Sequence, residues 1–269
     1  MKRCLIHHPD ISPTILRRTL SAELIDLLGI FSEFVFTRGK SATWNHSFPS
    51  GTFYRQAIYR LRKNGLIAYR RTHGRPPVLH LTPEGQSRIS DIIFPERFWN
   101  QRWDGRWYLL MYDIPETQRP YRSALGRFLA RQRLGCLQKS VWISARDIRP
   151  LFHDLQEAAA IRDYACLFEA QTVLGQQGAE ISAQAWDFDR LNVVQTSYLA
   201  ECDQGTAQAP GDRGRTTIFA MMHNALAAYV EAMRYDPLLP SALWPPDYCG
   251  PKVASAFRHR LRSLAKLWP

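Results

Sequence analysis

The fold is decided by the stretch RWYLLMYDIPETQRPYRSALGRFLARQRLGCLQKSVWIS, residues 106–144. An apolar run at its start predicts a buried strand, and apolar residues at three- and four-residue spacing after that run predict a helix. Strand and helix then alternate again, which is typical of a ferredoxin-like α+β sandwich. The predicted elements are strands at 107–112, 137–144 and 164–169 and helices at 120–132 and 147–159. We therefore assign residues 96–180 to a ferredoxin-like middle domain.

The residues after the middle domain favour helices. Apolar periodicity predicts three of them, and a segment rich in Gln, Gly and Asp at 201–215 predicts a loop between the first and the second. The Pro-rich DPLLPSALWPPDYCGP, residues 236–251, predicts a rigid extended segment before the last helix. The predicted helices cover 185–199, 216–234 and 252–267. Residues 181–269 are thus expected to form a helical C-terminal domain.

The residues before the middle domain in the sequence are strongly basic. The stretch YRQAIYRLRKNGLIAYRRTHGRPPVLHLT, residues 54–82, holds seven Lys or Arg and no Asp or Glu. Of the net charge of +11, a share of +8 falls on residues 1–95, which hold 14 Lys and Arg against 6 Asp and Glu. A localised positive excess predicts an anionic partner, most commonly nucleic acid. The alternative is a basic face that only contacts water.

The order of elements within residues 1–95 favours the nucleic-acid interpretation. Asn64-Gly65 is expected to end a helix at 51–63, and His73-Gly74-Arg75-Pro76 predicts a tight turn between two strands. The other predicted elements are an extension at 1–19, a helix at 20–36, a short turn at 41–46, strands at 66–72 and 77–81, and a helix that opens at Thr82. This is the order of a winged helix-turn-helix, in which the second helix of the turn enters the DNA major groove.

The helix at 51–63 has one apolar stripe for the core and an opposite basic face for the groove. Arg55, Gln56 and Tyr59 are the candidates for reading base edges. Arg60 and Lys63 are expected to bind phosphates, which fix the position of a protein on DNA but carry no sequence information. The cations on or beside the wing are expected to contact phosphate or the minor groove. The predicted DNA-binding set is Thr52, Arg55, Gln56, Tyr59, Arg60, Lys63, Arg70, Arg71 and Arg75, with the last three on or beside the wing.

Five motifs, in this order, resemble a known family. They are WDGRW at 103–107, YDIPE at 112–116, LQKSVWIS at 137–144, YDPLLP at 235–240 and PPDYCG at 245–250. Together they resemble the PaaX-type transcriptional repressors of phenylacetate catabolism, whose middle domain is similar to the CRISPR-associated spacer-acquisition nucleases. The resemblance implies a repressor that binds a palindromic double-stranded DNA operator as a homodimer, with residues 96–180 as the dimerisation domain. It also implies an acyl-coenzyme A effector, because the best-known member releases DNA on binding phenylacetyl-coenzyme A.

An effector pocket is expected between the middle and C-terminal domains, where concave sites tend to form. Tryptophans there would flank an aryl group, and arginines would pair with phosphate. The candidates are Trp103, Arg106, Trp107, Trp142 and Arg146, with Trp186 beside them. The alternative is that these tryptophans fill domain cores.

Asp113 directly follows the first strand of the middle domain and matches the metal position of the similar nucleases. A Mg²⁺ ion held by this carboxylate across a dimer would make the protein a metal-dependent nuclease. The alternative is that Asp113 caps the following turn or helix, or lies in an interface. We expect the alternative, and therefore no catalytic residue, no bound metal and no enzymatic activity.

Other classes of function find no support in the sequence. It contains no phosphate-binding loop and no serine-hydrolase motif. Its five cysteines are scattered, which predicts neither a disulfide framework nor a zinc site. With no secretion signal and no apolar run near eighteen residues, we expect a cytoplasmic protein with no cofactor and no membrane partner.

Overall fold

The computed structural model describes residues 51–70, 78–158, 164–171, 175–205 and 215–267. These residues form helices and antiparallel sheets, so the protein is α+β as predicted. They divide into two compact units. Within the described ranges, the first unit holds residues 51–93, 215–228 and 257–267, and the second holds 94–205 and 229–256. The predictions for 1–19, 20–36, 41–46 and 73–76 lie outside the described residues.

The first unit begins with helix α1, Gly51–Lys63. Ile58 and Leu61 on this helix are buried, as the apolar stripe predicts. The helix ends before Gly65, whose φ of +71° lies in the left-handed region that a residue without Cβ adopts at no steric cost. The Gly65 amide donates to the Arg62 carbonyl oxygen at 3.0 Å and closes the last turn. The predicted helix is confirmed.

A two-stranded hairpin follows α1. Strand β1, Ile67–Arg70, pairs antiparallel with strand β2, Val78–Leu81. Ile67 lies opposite Leu81, and both side chains are buried. The hairpin is therefore anchored to the core at the end nearest α1, because its apolar pair is there.

Helix α2, Pro83–Ser87, leaves the hairpin. Its N-cap is Thr82, whose hydroxyl accepts a hydrogen bond from the Gly85 amide at 3.1 Å. Helix, hairpin and capped helix thus follow one another in the predicted order. The complete winged helix-turn-helix stays a prediction, since it also depends on residues 20–46.

The second unit contains a four-stranded antiparallel sheet in the order β4-β5-β3-β6. Its strands are β3, Trp107–Tyr112; β4, Gly135–Gln138; β5, Val141–Ser144; and β6, Ala165–Ala170. Three helices accompany them: α3, Glu96–Trp99; α4, Arg119–Arg131; and α5, Arg149–Ala158. The sequence analysis found α4 and α5 but not the short α3.

The prediction of one strand over residues 137–144 is wrong. The segment forms the ends of two strands, and Lys139 and Ser140 make the turn between them. The register of β4 against β5 also shifts between Cys136 and Gln138. Two adjacent polar residues favour a hairpin turn here, whereas apolar alternation alone favoured one continuous strand.

The two faces of the sheet are packed differently. Successive side chains on a strand point to opposite faces, so Tyr108 and Leu110 lie on one face of β3 and Trp107 on the other. Leu110 pairs with Trp142 on β5, and both belong to the cluster that α4 and α5 cover. Trp107 is also fully buried, but on the face away from those helices.

The rest of the described chain is helical, as predicted. The helices are α6, Gly178–Ala185; α7, Phe188–Gly205; α8, Arg215–Met233; and α9, Gly250–Lys266. A short 3-10 turn, Ser241–Leu243, interrupts the Pro-rich segment between α8 and α9. None of the helices among the described residues is long and apolar enough to cross a membrane.

Two boundaries in this region differ from the prediction. The helix predicted at 185–199 is instead α7, and α6 precedes it as a helix that the sequence analysis missed. The break between them is Trp186, whose φ of −118° and ψ of 142° are extended. Residues 201–205, predicted as a loop, continue α7 as far as Gly205, because residues 201–204 contain no Gly or Pro that would end the helix earlier.

Candidate functional site

The outer face of α1 carries most of the predicted DNA-binding set. Its exposed members are Arg55, Gln56, Tyr59 and Lys63, whereas Arg60 is half-buried. Tyr59 has 66% of its surface exposed, an unusual placement for an aromatic ring that has no role in the core. The chain has no Asp or Glu from residue 51 to residue 83. This face of the helix is therefore positively charged and largely exposed.

The charge of α1 is compatible with a folded helix. Three of its cations lie in the last turn: Arg60, Arg62 and Lys63. Cations there interact favourably with the partial negative charge at the C-terminal end of a helix. The helix thus tolerates this charge without acidic residues of its own.

Four further members of the predicted set are only partly placed. Thr52 lies in α1 and Arg70 ends β1, opposite Val78, but their side chains are outside what the structure describes. Arg71 and Arg75 lie outside the described residues. Their contacts with DNA stay predictions.

Three of the four tryptophans proposed for an effector pocket lie together. The ring of Trp107 is 5.1 Å from that of Trp103 and 6.4 Å from that of Trp186. The Trp186 ring also lies against Gly135, where a Cβ atom would meet it at 2.7 Å. Trp142 is separate, because it lies on the other face of the sheet and donates to the Tyr112 hydroxyl at 3.2 Å.

The two arginines proposed for the effector have different surroundings. Arg106 forms an ion pair with Glu169, and 40% of its side chain is exposed. Arg146 stacks on the ring of Phe98, with 4.1 Å between the guanidinium carbon and the ring centroid. Arg146 is engaged within the fold, whereas Arg106 is half-exposed and paired with the carboxylates of Glu169 and Asp104.

Sequence reasoning missed a buried polar group, here called the Asp236 cluster: Asp236, Gln195, Tyr248, Arg133 and Arg146. The Asp236 carboxylate accepts hydrogen bonds from the Tyr248 hydroxyl at 2.6 Å and from the Gln195 amide at 3.0 Å. Asp236 and Gln195 are fully buried, and Tyr248 nearly so. Each member lies on a separate segment, so the cluster ties the sheet to the helical part of the second unit.

The backbone around Asp236 is held by arginines from the sheet region. Arg133 donates to the Asp236 carbonyl oxygen. Arg146 donates to the carbonyl oxygens of Pro237 and Leu238 at 3.1 and 3.0 Å. Arg133 and Leu238 have φ values of +65° and +52°, which cost free energy in residues with a Cβ atom. The cluster therefore stabilises two strained positions.

Burial dominates the electrostatics of the cluster. It raises the pKa of the Asp236 carboxyl, against the hydrogen bonds from Tyr248 and the Leu238 amide, which lower it. Burial likewise raises the pKa of the Tyr248 hydroxyl, so this group stays protonated and donates. Asp236 and Tyr248 fall in the YDPLLP and PPDYCG motifs, which were the signal available in the sequence.

Asp113, the candidate metal ligand, is exposed just after β3. Its amide donates to the Tyr164 carbonyl oxygen at 2.7 Å and continues the pairing of β3 with the chain leading into β6. Asp113 is not the N-cap of the next two helical segments, whose cap positions are Pro115 and Gln118. Its predicted role in the turn or in an interface stays a prediction. Among the described residues, no group of three His, Cys, Asp or Glu is arranged to hold a metal ion.

Comparison with family models defines the class of the protein. Residues 100–182 match the PaaX protein central Cas2-like domain, and residues 186–267 match the PaaX-like protein C-terminal domain. The two matches cover more than half of the chain and include the sheet, the tryptophan group and the Asp236 cluster. These domains define a transcriptional regulator of the PaaX type.

The chain belongs to the PaaX family, as its motifs predicted. It is similar over 93% of its length to a solved structure of an uncharacterised protein, Rv0674, from Mycobacterium tuberculosis, of which it covers 94%. The TM-score is 0.52 and the sequence identity 19%, so this likeness concerns the fold alone. A search of curated proteins finds no match.

Proposed function

We propose that this protein is a cytoplasmic transcriptional repressor that binds a palindromic DNA operator as a homodimer and leaves it on binding a small effector. The observation that carries the proposal is the exposed basic face of α1, in a stretch without Asp or Glu from residue 51 to residue 83, in a chain of the PaaX family. A helix fits the major groove, and its exposed polar side chains reach base edges there. Arg55, Gln56 and Tyr59 read bases, and Arg60 and Lys63 bind phosphates.

The test uses duplexes tiled across the promoter of the protein's own gene. Fluorescence anisotropy measures their binding at several salt concentrations. One duplex should bind with a logarithmic salt slope of several units, since each neutralised phosphate contributes about −0.9. Arg55→Ala should weaken that complex by about 1–3 kcal/mol and relax the base preference at one position. Lys252→Ala, which removes an exposed cation on α9, is the matched control. Unchanged binding by Arg55→Ala and Arg60→Ala together would contradict this placement of the reading helix.

The homodimer is supported by an exposed apolar half of the sheet. Leu109 pairs with Phe168, and Met111 with Cys166, on the face away from α4 and α5. Phe168 is 51% and Met111 39% exposed. An uncharged patch is complementary to its own copy across a two-fold axis, whereas a patch of one charge repels its copy.

Light scattering after size exclusion tests this interface. Phe168→Asp should convert the dimer to monomer, because the charge would face its own copy. Val193→Asp is the matched control, since Val193 is an exposed apolar residue of α7 and should leave the dimer intact. A dimer of unchanged stability in Phe168→Asp would place the interface elsewhere.

The effector is proposed to be an aryl-coenzyme A. Half-buried Trp103 and Trp186, which pack against fully buried Trp107, offer aromatic surface. Half-exposed Arg106, which is paired with Glu169, is the candidate cation for phosphate. Phenylacetyl-coenzyme A should release the operator at micromolar concentration, and free coenzyme A or phenylacetate should not. Release by neither compound would leave a DNA-binding protein with a different effector or none.

We further propose that the protein acts by binding and does not cleave nucleic acid. Purified protein with Mg²⁺ or Mn²⁺ should leave duplex DNA, single-stranded DNA and RNA intact. The alternative function, a metal-dependent nuclease, rests on the exposed Asp113 at the end of β3. Cleavage that disappears in Asp113→Ala would establish that alternative.

A further inference from the structure

One exposed cation of α1 lies outside the DNA-binding set identified from the sequence. Arg62, in the last turn of the helix, places its guanidinium carbon 5.7 Å from the centroid of the Tyr69 ring. Tyr69 lies on β1 and is 46% exposed. The contact joins the helix proposed to read DNA with the first strand of the proposed wing.

The backbone holds these two residues on fixed elements. The Leu66 amide donates to the Leu61 carbonyl oxygen at 2.9 Å, and the Thr82 hydroxyl donates to that of Gly65 at 2.6 Å. The connection from α1 to β1 is thereby tied both to the helix and to the end of the hairpin. Tyr69 is two residues after buried Ile67, so its ring lies on the same side of the strand.

The geometry of the contact suits an anion. A guanidinium over a ring keeps its N–H donors at its edges, where a phosphate accepts two of them side by side. The ring also restrains an otherwise flexible side chain, so less rotamer entropy is lost when the phosphate binds. About half of the Tyr69 surface is exposed, so its ring is accessible beside Arg62.

We propose that Arg62 binds a backbone phosphate of duplex DNA between α1 and the hairpin, and that Tyr69 is the positioning residue that holds it there. This inference rests on the proposed function. It adds to that function a phosphate contact shared by helix and wing, which fixes the angle between them on the DNA. The contact carries no sequence information, so it strengthens operator and non-operator binding alike.

The salt dependence of binding tests the role of Arg62. In Arg62→Ala the logarithmic salt slope should be smaller by about 0.9, for one phosphate. Between 50 and 200 mM salt, the wild type would then lose about 3.5-fold more affinity than the variant does. The loss should be equal on the operator and on a scrambled duplex. An unchanged slope overturns the inference.

Tyr69 is tested by two substitutions and a double variant. Tyr69→Phe keeps the ring and should bind like the wild type, whereas Tyr69→Leu should lose part of the affinity and of the slope. Tyr69→Leu combined with Arg62→Ala should bind no more weakly than Arg62→Ala alone. Additive losses, or an equal loss in Tyr69→Phe, would mean that the tyrosine contacts DNA by itself and would overturn its positioning role.

Failure of this inference and failure of the proposed function give different results. If the wild type binds no duplex at 50 mM salt, the proposed function fails and the inference with it. If the wild type binds and only the Arg62 and Tyr69 predictions fail, the DNA-binding function stands without this contact. The thermal unfolding temperature of each variant is compared with that of the wild type, and an unchanged temperature excludes misfolding. Tyr69→Phe, which keeps the ring, is a second reference beside the wild type.

Discussion

The outer face of α1 and the Asp236 cluster both gather polar side chains, under opposite conditions. On α1, most of the cations are exposed, and the chain has no Asp or Glu from residue 51 to residue 83. In the cluster, a carboxyl is fully buried and accepts hydrogen bonds from three groups. The comparison teaches that exposed charge is available to a partner at small cost to the fold, whereas a buried charge is retained only where its hydrogen bonds are made.

The difference predicts how substitutions divide between folding and binding. Changes on α1 should alter affinity for DNA and leave the unfolding midpoint nearly unchanged. Changes in the Asp236 cluster should lower the free energy of unfolding first, and affect binding only through the folded population. A variant that violates this division would show that the two regions share one function.

The largest effect is expected for Asp236→Ala. The substitution leaves the Tyr248 hydroxyl, the Gln195 amide and the Leu238 amide without their buried acceptor, and should cost about 3–5 kcal/mol of unfolding free energy. Urea unfolding followed by tryptophan fluorescence measures the loss. Asp154→Ala, which removes an exposed carboxylate of α5, is the control and should change little. Equal effects of both substitutions would contradict the structural role of the cluster.

A smaller loss is expected for Tyr248→Phe. It removes one hydrogen bond, 2.6 Å long, and leaves the ring in its place among Trp99, Phe188 and Trp244. The free energy of unfolding should fall by about 1–3 kcal/mol, because the buried carboxyl loses one donor. Tyr235→Phe, at a tyrosine that is 59% exposed, should have no measurable effect. A loss as large as that of Asp236→Ala would mean that the hydroxyl alone carries the cluster.

Lys63→Ala tests the same division between folding and binding on the exposed face of α1. Lys63 is exposed at the end of α1, so its removal should lower the free energy of unfolding by less than about 1 kcal/mol, its interaction with the helix end. It should weaken operator and scrambled duplex by the same factor and reduce the salt slope by about 0.9, since it is assigned to phosphate. A change in base preference would instead make Lys63 a base-reading residue.

The sequence predicted what depends on local patterns. Helix α1 ends where Asn64 and Gly65 predict, and the residues that pack it on the core follow from apolar spacing. The basic face of α1 was predictable for the same reason, because its exposure depends only on helical period. The turn at Lys139 was missed, since alternation continues across a short hairpin and does not mark its turn.

The Asp236 cluster was not predictable from spacing. Its members are far apart in the chain: Arg133 follows α4, Gln195 lies on α7, and Asp236 follows α8. Only the fold brings them together, and a lone Asp next to Pro is more typical of a turn than of a core. For the same reason, the sequence did not show that Trp142 and Trp107 lie on opposite faces of the sheet. The face that a residue takes depends on strand register, which single-sequence reasoning does not give.

The smallest expected effect is the pH dependence of the unfolding free energy. It compares an exposed carboxyl, Asp147, directly with a buried one, Asp236. Hydrogen bonds from Arg149 lower the pKa of exposed Asp147 below its usual 3.8, so its stabilising contribution is present above that pH and lost as the pH falls through the lowered value. Burial raises the pKa of Asp236, so its contribution is instead lost as the pH rises through the raised value. Urea midpoints of wild type and Asp147→Asn should therefore differ slightly near neutral pH and converge in acid, since solvent screens this pair. A gap that widens in acid would reverse the assigned sign.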